Sequence, residues 1–398
     1  MNVPATPTET SRLSGAAWIL ALVPLVLLGI LLAYLVITGG GLTELAGPPV
    51  EQLTIQRITL PEPGMIRVEV VNDGPQPVTI PQVLVDEAYW SFTAEPSNTI
   101  NRLERAVFTI PYPWVAEEAH EVVLITSLGT TFAGEIAVAV QTPQISGGLI
   151  AQFGLVGMYV GIVPVFLGML WYPFMRRLSR SAMNFILALT VGLLVFLAVG
   201  TWLDAQEFAG ELPAFWQGVP MVAFIALIAL GTLLVVGSLG RGSKTTPLGI
   251  AYRIALGIGL HNLGEGLAIG AAFAQGEAAL GTFLVLGFTL HNITEGVGIA
   301  APIVRRNPGL KHFALLLLLA GGPAILGTWV GGFAFNPVLA TIFLAVGVGA
   351  ILQVVWEVGK LIARSADEIG VSLVNWVNLA GVTVGIAIMY FTAFMVKF

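Results

Sequence analysis

Hydrophobic and polar positions divide this chain into three stretches with different periods. A polar tail, residues 1–15 with Arg12, gives way to an apolar run from Ala16 to about Ile37. At about 20 residues the run is long enough to cross bilayer hydrocarbon and longer than a signal-peptide core. Residues 16–38 therefore predict a transmembrane anchor helix, with cleavage near the small residues around Ala46 as the alternative. Between Pro49 and Thr142 the period falls to two: Ile66-Arg67-Val68-Glu69-Val70 alternates apolar with charged residues, and Asn72-Asp73-Gly74 marks a turn. Further strand-like runs at Val78–Val85, Tyr89–Thr93, Val107–Ile110, Glu121–Thr126 and Ile136–Val140 predict a small antiparallel β-sandwich over residues 49–142, loosely immunoglobulin-like.

From Gln144 to the C-terminus the pattern is almost continuously apolar. By the requirement of about 20 residues per span, it predicts about eight membrane helices: Leu149–Phe174, Met183–Leu203, Gly218–Leu239, Gly249–Ala274, Ala278–Val304, Phe313–Phe333, Val338–Ile362 and Val371–Met395. Arg176, Arg177, Arg180, Arg241, Lys244, Arg253, Arg305, Arg306, Lys311 and Arg364 all fall on connections of one side, as does Arg12. The alternate connections carry Asp204, Glu207, Glu211 and Glu277 and no basic residue. Positive charge is retained on the cytoplasmic side. The expected topology is thus a cytoplasmic N-terminus, with the β-sandwich and the C-terminus outside, in a membrane such as the prokaryotic plasma (inner) membrane.

Composition sharpens this reading. Of 398 residues, 56% are hydrophobic and 10% charged, and the mean hydropathy is +0.88. Those values exclude an ordinary soluble enzyme and fit an integral membrane protein in contact with the lipid bilayer. A net charge of -6, with no basic stripe, gives no nucleic-acid signature. Cysteine is absent, which removes thiolate metal sites and cysteine nucleophiles.

The candidate chemistry lies in a repeated string. His261-Asn262-Leu263-Gly264-Glu265-Gly266 and His291-Asn292-Ile293-Thr294-Glu295-Gly296 fall in consecutive predicted spans and hold two of the chain's four histidines. A His and a Glu four apart share a helix face. Ionisable groups inside lipid mark ion or proton pathways by default. Each histidine lies about 13 residues, or about 20 Å, from the outer end of its span, so both sit near the midplane. Two imidazoles and two carboxylates form a ligand set for borderline transition metals. Gly257, Gly259, Gly264, Gly266, Gly270, Gly287, Gly296 and Gly298 favour close helix approach, and Gly264 or Thr294 can bend a helix and free a carbonyl for an ion. The competing reading is that each His–Glu pair only fixes helix register. Glu357, three residues before Lys360, is open between a local ion pair and an exit-path carboxylate. His312 beside Lys311 reads as a surface histidine. His120, after Glu117 and Glu118, reads as a residue without a role or as a weak surface site.

At these strings the sequence resembles the ZIP (Zrt/Irt-like) family of divalent metal transporters, most closely its GufA-like branch. The resemblance covers residues 144–398. It implies an all-α polytopic bundle of eight helices with a metal path between the fourth and fifth spans. It also implies a principal metal site at His261, Glu265, His291 and Glu295, and an adjacent one involving Asn262 and Asn292. The sequence departs from the family pattern at five places. Gly264 and Thr294 replace prolines, Gly322 stands before Pro323 where a glutamate is usual, Glu357 stands alone where glutamates are paired, and Arg241–Leu248 has no histidine. The anchor and β-sandwich lie outside the familiar core.

The expected function is therefore inward transport of a divalent transition metal. Zinc is the first choice, with Fe2+, Mn2+, Ni2+, Co2+ and Cd2+ behind it. No cofactor is expected beyond this substrate. The resemblance alone points to a homodimer, and an extracytoplasmic partner of the β-sandwich is compatible with the sequence. Two alternatives belong to other classes. One is a membrane metal sensor or receptor that does not transport. The other is an intramembrane metal-dependent hydrolase, disfavoured because no nucleophile motif or His-Glu-x-x-His helix is present.

Overall fold

The computed structural model describes residues 15–38, 50–239, 246–275 and 278–396. Arg12, Ala46, Arg241, Lys244 and Glu277 lie outside the described residues, as do most of the polar tail and the 241–248 connection. The chain forms two compact units, Met1–Val50 and Glu51–Phe398. In the first, the helix α1 runs over Gly15–Thr38 with Pro24 inside it.

Ten strands open the second unit: β1 (Leu53–Thr59), β2 (Ile66–Asn72), β3 (Val78–Thr79), β4 (Gln82–Val85), β5 (Ala88–Trp90), β6 (Thr93–Glu95), β7 (Thr99–Ile100), β8 (Arg105–Ile110), β9 (His120–Ile125) and β10 (Thr131–Ile136). Two four-stranded sheets, β1-β2-β8-β6 and β10-β9-β4-β5, share one apolar core, with β3-β7 as a short third pair. All pairs are antiparallel. The alternation expected at residues 66–70 is real: Ile66, Val68 and Val70 are buried, and Arg67 between them is exposed.

Three strand expectations change. The run Val78–Val85 breaks into β3 and β4 around Pro81, which has no N–H for a ladder. Tyr89–Thr93 divides because β5 pairs with β4 in one sheet while β6 pairs with β8 in the other. The last strand is Thr131–Ile136, not Ile136–Val140. A tight turn closed by the Thr126 N–H donating to the Thr130 carbonyl at 2.9 Å, with Gly129 at φ +87°, sends the chain straight back along β9.

The rest of the unit is helical. Its elements are α2 (Gly147–Gly157), a π-turn at Met158–Ile162, α3 (Val163–Met169), α4 (Tyr172–Met175), α5 (Arg180–Gly210), α6 (Gly218–Leu239), α7 (Pro247–Ala274), α8 (Ala278–Ala300), α9 (Leu310–Ala334), α10 (Pro337–Glu368) and α11 (Trp376–Val396). Among the described residues these give eight segments long and apolar enough to cross a membrane, Gly147–Met175 counting as one. Starts are set locally: the side chains of Ser146, Ser179, Thr246 and Asn336 cap α2, α5, α7 and α10, and Pro247 and Pro337 occupy first helical positions. α7 is the central helix, with 78% of its membrane window buried, whereas α6 at 11% leaves its apolar surface outward.

The bundle is drawn together by glycines against carbonyls. A Cβ built on Gly266 or Gly270 of α7 would lie 2.2 or 2.3 Å from the Ala324 or Thr328 carbonyl of α9, and one on Gly327 or Gly331 of α9 would meet α7 at 2.2 or 2.1 Å. Gly296 of α8 stands the same way to Val165 of α3, at 2.2 Å. Gly266, Gly270 and Gly296 thus serve close approach, to α9 and α3. The sandwich sits at the end where α5 meets α6: Asp73 Oδ2 accepts from the Ala214 N–H at 2.9 Å. At the opposite end Arg176 donates to Asn307 at 2.8 Å and Arg180 pairs with Glu368.

One polar cluster is internal to the sandwich. Asp86 Oδ2 accepts from the Tyr112 hydroxyl at 2.6 Å and pairs with His120 Nδ1 at 2.7 Å, while Oδ1 accepts from the Glu121 N–H at 3.0 Å. His120 is buried, so the weak surface site, one of its two readings, does not form there. Burial works to raise the Asp86 pKa, but the hydrogen bonds from Tyr112, Glu121 and His120 hold it below its ordinary value. The Tyr112 phenol is pushed up to about 12, first by its bond to Asp86, then by burial and by the Asp86 and Glu118 charges.

Two outcomes follow from these contacts. Gly266→Ala must push α7 from α9 and should cost about 1–3 kcal/mol, a lower unfolding temperature in detergent. Gly359→Ala, where a Cβ meets nothing within 4 Å, should be neutral or stabilising by about 0.4–1 kcal/mol. In an ultraviolet pH titration, the difference between parent and Tyr112→Phe should show a phenol ionising near 12, and Asp86→Asn should return it toward the ordinary tyrosine value of about 10. The sign is that of a raised pKa. The hydroxyl's contribution to stability is complete below the unfolded tyrosine value and lost as pH rises through about 12.

Candidate metal centre

The repeated strings place their polar residues on two regular helices. α7 runs without a break through Gly264, and in α8 the Thr294 hydroxyl bonds back to the His291 carbonyl at 2.6 Å without interrupting the helix. Neither position unwinds its helix, and the hydroxyl back-bonding expected at Thr294 is present. The irregular backbone lies instead in the π-turn at Met158–Ile162, a feature that often marks functional sites.

His261, Glu265 and His291 converge. Glu265 Oε1 lies 2.8 Å from His261 Nε2 and 2.7 Å from His291 Nε2. One donor atom from each residue lies within 4.8 Å of the others, and all three side chains are buried. Asn292 Nδ2 donates to Glu265 Oε2 at 3.3 Å and to the Val160 carbonyl of the π-turn at 3.0 Å. Asn262 Nδ2 donates to the Ala320 carbonyl of α9 at 3.1 Å. The Gly287 backbone, one turn before His291, hydrogen-bonds its ring. The His291 imidazole is thus oriented on its far side by a backbone group, as metal-ligating histidines usually are by a neighbouring acceptor.

Glu295 stands apart. It is 2% exposed, and neither of its oxygens has a hydrogen-bond partner among the described residues. The Asn262 amide lies beside it without hydrogen-bond geometry, and the charges of Glu265, His261 and His291 act on it. Asn262 Oδ1 and Asn292 Oδ1 are also buried without partners. The two strings therefore do not form a symmetric four-ligand set. They form a tight two-nitrogen, one-oxygen cluster with an unsatisfied carboxylate nearby. A Cβ on Gly322 would meet nothing within 4 Å, so this position leaves open space.

Glu357 is elsewhere, in an ion-pair network. It lies 3.3 Å from Arg253 Nε of α7 and 3.0 Å from Lys360 Nζ, and is itself buried. The local-pair reading describes its contacts, with Arg253 as the added partner. His312 is half-buried, with Nδ1 2.9 Å from the Tyr252 hydroxyl.

Three positions are not marked as site residues by the sequence. Arg253 reads there only as a connection charge, yet Arg253, Gly257, His261 and Glu265 step by four along α7, which places all four on one face. Gln353, one turn before Glu357 in α10, is 1% exposed and faces Gly257, with Oε1 unpartnered. Asp204 lies within α5, not on a connection, and its charge acts on His261.

Compared with known proteins, the chain matches no family model and no curated protein.

Removing one partner of the Arg253–Glu357 pair leaves a mostly buried charge uncompensated. Glu357→Gln should destabilise the detergent-solubilised protein by about 3 kcal/mol. The Arg253→Gln/Glu357→Gln double variant should recover much of that, measured as a double-mutant cycle of thermal unfolding.

Proposed function

We propose that this protein is a divalent transition-metal transporter of ZIP-like arrangement, with zinc as first choice, that moves its substrate inward between α7 and α8. One observation carries the reading: in the middle of an apolar bundle, His261 and His291 already converge on a single oxygen of Glu265. Imidazole nitrogens favour borderline metals over calcium or magnesium, and the carboxylates offset the cation's charge. Glu295, buried and unpartnered, is a carboxylate that a dehydrated cation would satisfy.

The resemblance of the two strings to the ZIP family supports the same reading, as does the spread of charge. Acidic residues collect at the sandwich end, and basic residues collect at the other, which the positive-inside rule assigns to the cytoplasm. Substrate would reach His261, Glu265 and His291 from the sandwich end, then pass Gln353 toward the Arg253–Glu357 pair. That pair closes the far side and must part for the ion to leave, a local form of alternating access.

The test is uptake into proteoliposomes holding the purified chain, across Zn2+, Fe2+, Mn2+, Ni2+, Co2+ and Cd2+. Saturable uptake is expected, and Glu265→Ala or His291→Ala should lower it at least about tenfold, the equivalent of about 1.4 kcal/mol. Unchanged uptake in a Glu265→Ala/Glu295→Ala variant overturns the site. Stoichiometric binding without flux would identify a sensor.

A further inference from the structure

α7 and α10 meet along a seam of three rungs that leads away from the metal centre. At the first, a Cβ built on Gly347 of α10 would lie 3.5 Å from His261 Nδ1. At the second, a Cβ on Gly257 of α7 would lie 2.6 Å from Gln353 Oε1 and 3.1 Å from the Ala350 carbonyl oxygen of α10. At the third, Arg253 Nε meets Glu357 Oε1 at 3.3 Å. His261, Gly257 and Arg253 stand one turn apart on α7, about 6 Å per rung. α6 closes over the last rung, where a Cβ on Gly237 would come 2.8 Å from Arg253 Cδ and 4.0 Å from Glu357 Oε1. Gln353 is therefore midway between the metal centre and the far-side ion pair.

Packing gives no reason for an amide at this point. Gln353 is 1% exposed, and its Oε1 has no hydrogen-bond partner among the described residues. Ile351 and Val354 beside it on α10 are buried, as are Ile254 and Ile258 of α7. Leucine would fill such a place without desolvating an acceptor, and a buried acceptor left unpaired is costly. The cation one rung away, Arg253, is held by Glu357.

The oxygen also has a fixed relation to that ion pair. Gln353 and Glu357 are four residues apart on α10, so they share a face. Any movement of α10 from α7 that parts Glu357 from Arg253 also uncovers Gln353 Oε1. A neutral amide oxygen at such a point suits a passing ion: it replaces part of the lost hydration, yet holds weakly enough to release.

We propose that Gln353 Oε1 is a transit ligand, which takes a divalent cation from His261 as α7 and α10 part, holds it before the ion pair, and favours harder ions over softer ones at this step. The proposal rests on the transport reading of the central cluster and adds a second selective point to it.

Two variants test it. Uptake of Mn2+ and Cd2+ into proteoliposomes is read beside Co2+ binding to the full chain in detergent, followed by the visible absorption of the histidine-bound ion. Gln353→Leu should keep the parental Co2+ affinity and unfold at no lower a temperature, because it removes only an unpaired acceptor. Its maximal uptake of both ions should nonetheless fall about tenfold. Gln353→Met offers a soft thioether of similar length, and should raise the ratio of Cd2+ to Mn2+ uptake about tenfold. A folded Gln353→Leu protein that transports at the parental rate overturns the transit ligand. So does a folded Gln353→Met protein with the parental ratio, because a residue that only packs has no means of sorting ions. In both cases parental Co2+ binding and uptake leave the central reading standing. A parent that binds no Co2+ through Glu265, or moves none of the metals, overturns the central reading and the transit ligand together.

Discussion

A carboxylate buried among apolar helices must be compensated, and here the compensation comes from two imidazoles on one oxygen. Glu265 Oε1 is 2.8 and 2.7 Å from His261 and His291 Nε2. An uncompensated ion at this depth would cost at least several kcal/mol, so α7 and α8 cannot slide or rotate without losing it. The restraint spreads outward through amides. Asn292 ties Glu265 to the π-turn carbonyl of Val160, and Asn262 ties α7 to Ala320 of α9. The polar centre thus specifies which helices are neighbours, while the apolar surfaces supply contact without direction.

The glycines make that centre affordable in space. α7 must be reached on several sides at once, and a side chain at Gly266 or Gly270 would collide with α9 carbonyls. Close backbone contact in lipid gains dispersion energy that bulky residues would forfeit. Pro323 adds to this. It cannot donate to the Leu319 carbonyl, which points at Gly259 of α7, where a Cβ would lie 2.1 Å away. The proline and small-residue positions of α9 therefore belong to the same packing problem as the motifs of α7.

Features set by local period or composition were legible in the sequence. Apolar length gave the spans, alternation at Ile66–Val70 gave the central strand β2, and identical spacing in the two strings marked the helix faces that carry His261, Glu265 and His291. Features set by a partner far away in sequence were not legible. No local pattern says that Ser91 and Phe92 carry the chain from one sheet to the other, that Gly296 faces Val165, or that Arg253 pairs with Glu357. Antiparallel helices present Glu265 and Glu295 in opposite directions from the histidine level, and Glu265 meets both rings while Glu295 has no hydrogen-bond partner among the described residues.

Charge is distributed unevenly along the bundle, and the unevenness has direction. At the sandwich end, Asp204, Glu207 and Glu211 form no ion pair among the described residues. In the middle, the compensation of Glu265 comes from histidines, which can exchange a proton or an ion. At the far end, Glu357 is held by the Arg253 guanidinium and the Lys360 ammonium. On the proposed reading, a cation arriving from the sandwich end meets attraction, then ligands, then a positive barrier that only a movement of α7 against α10 can lift. Because Arg253, His261 and Glu265 share one face of α7, that movement cannot occur without altering the site. Occupancy of the centre and opening of the far end are thus coupled through a single rigid helix.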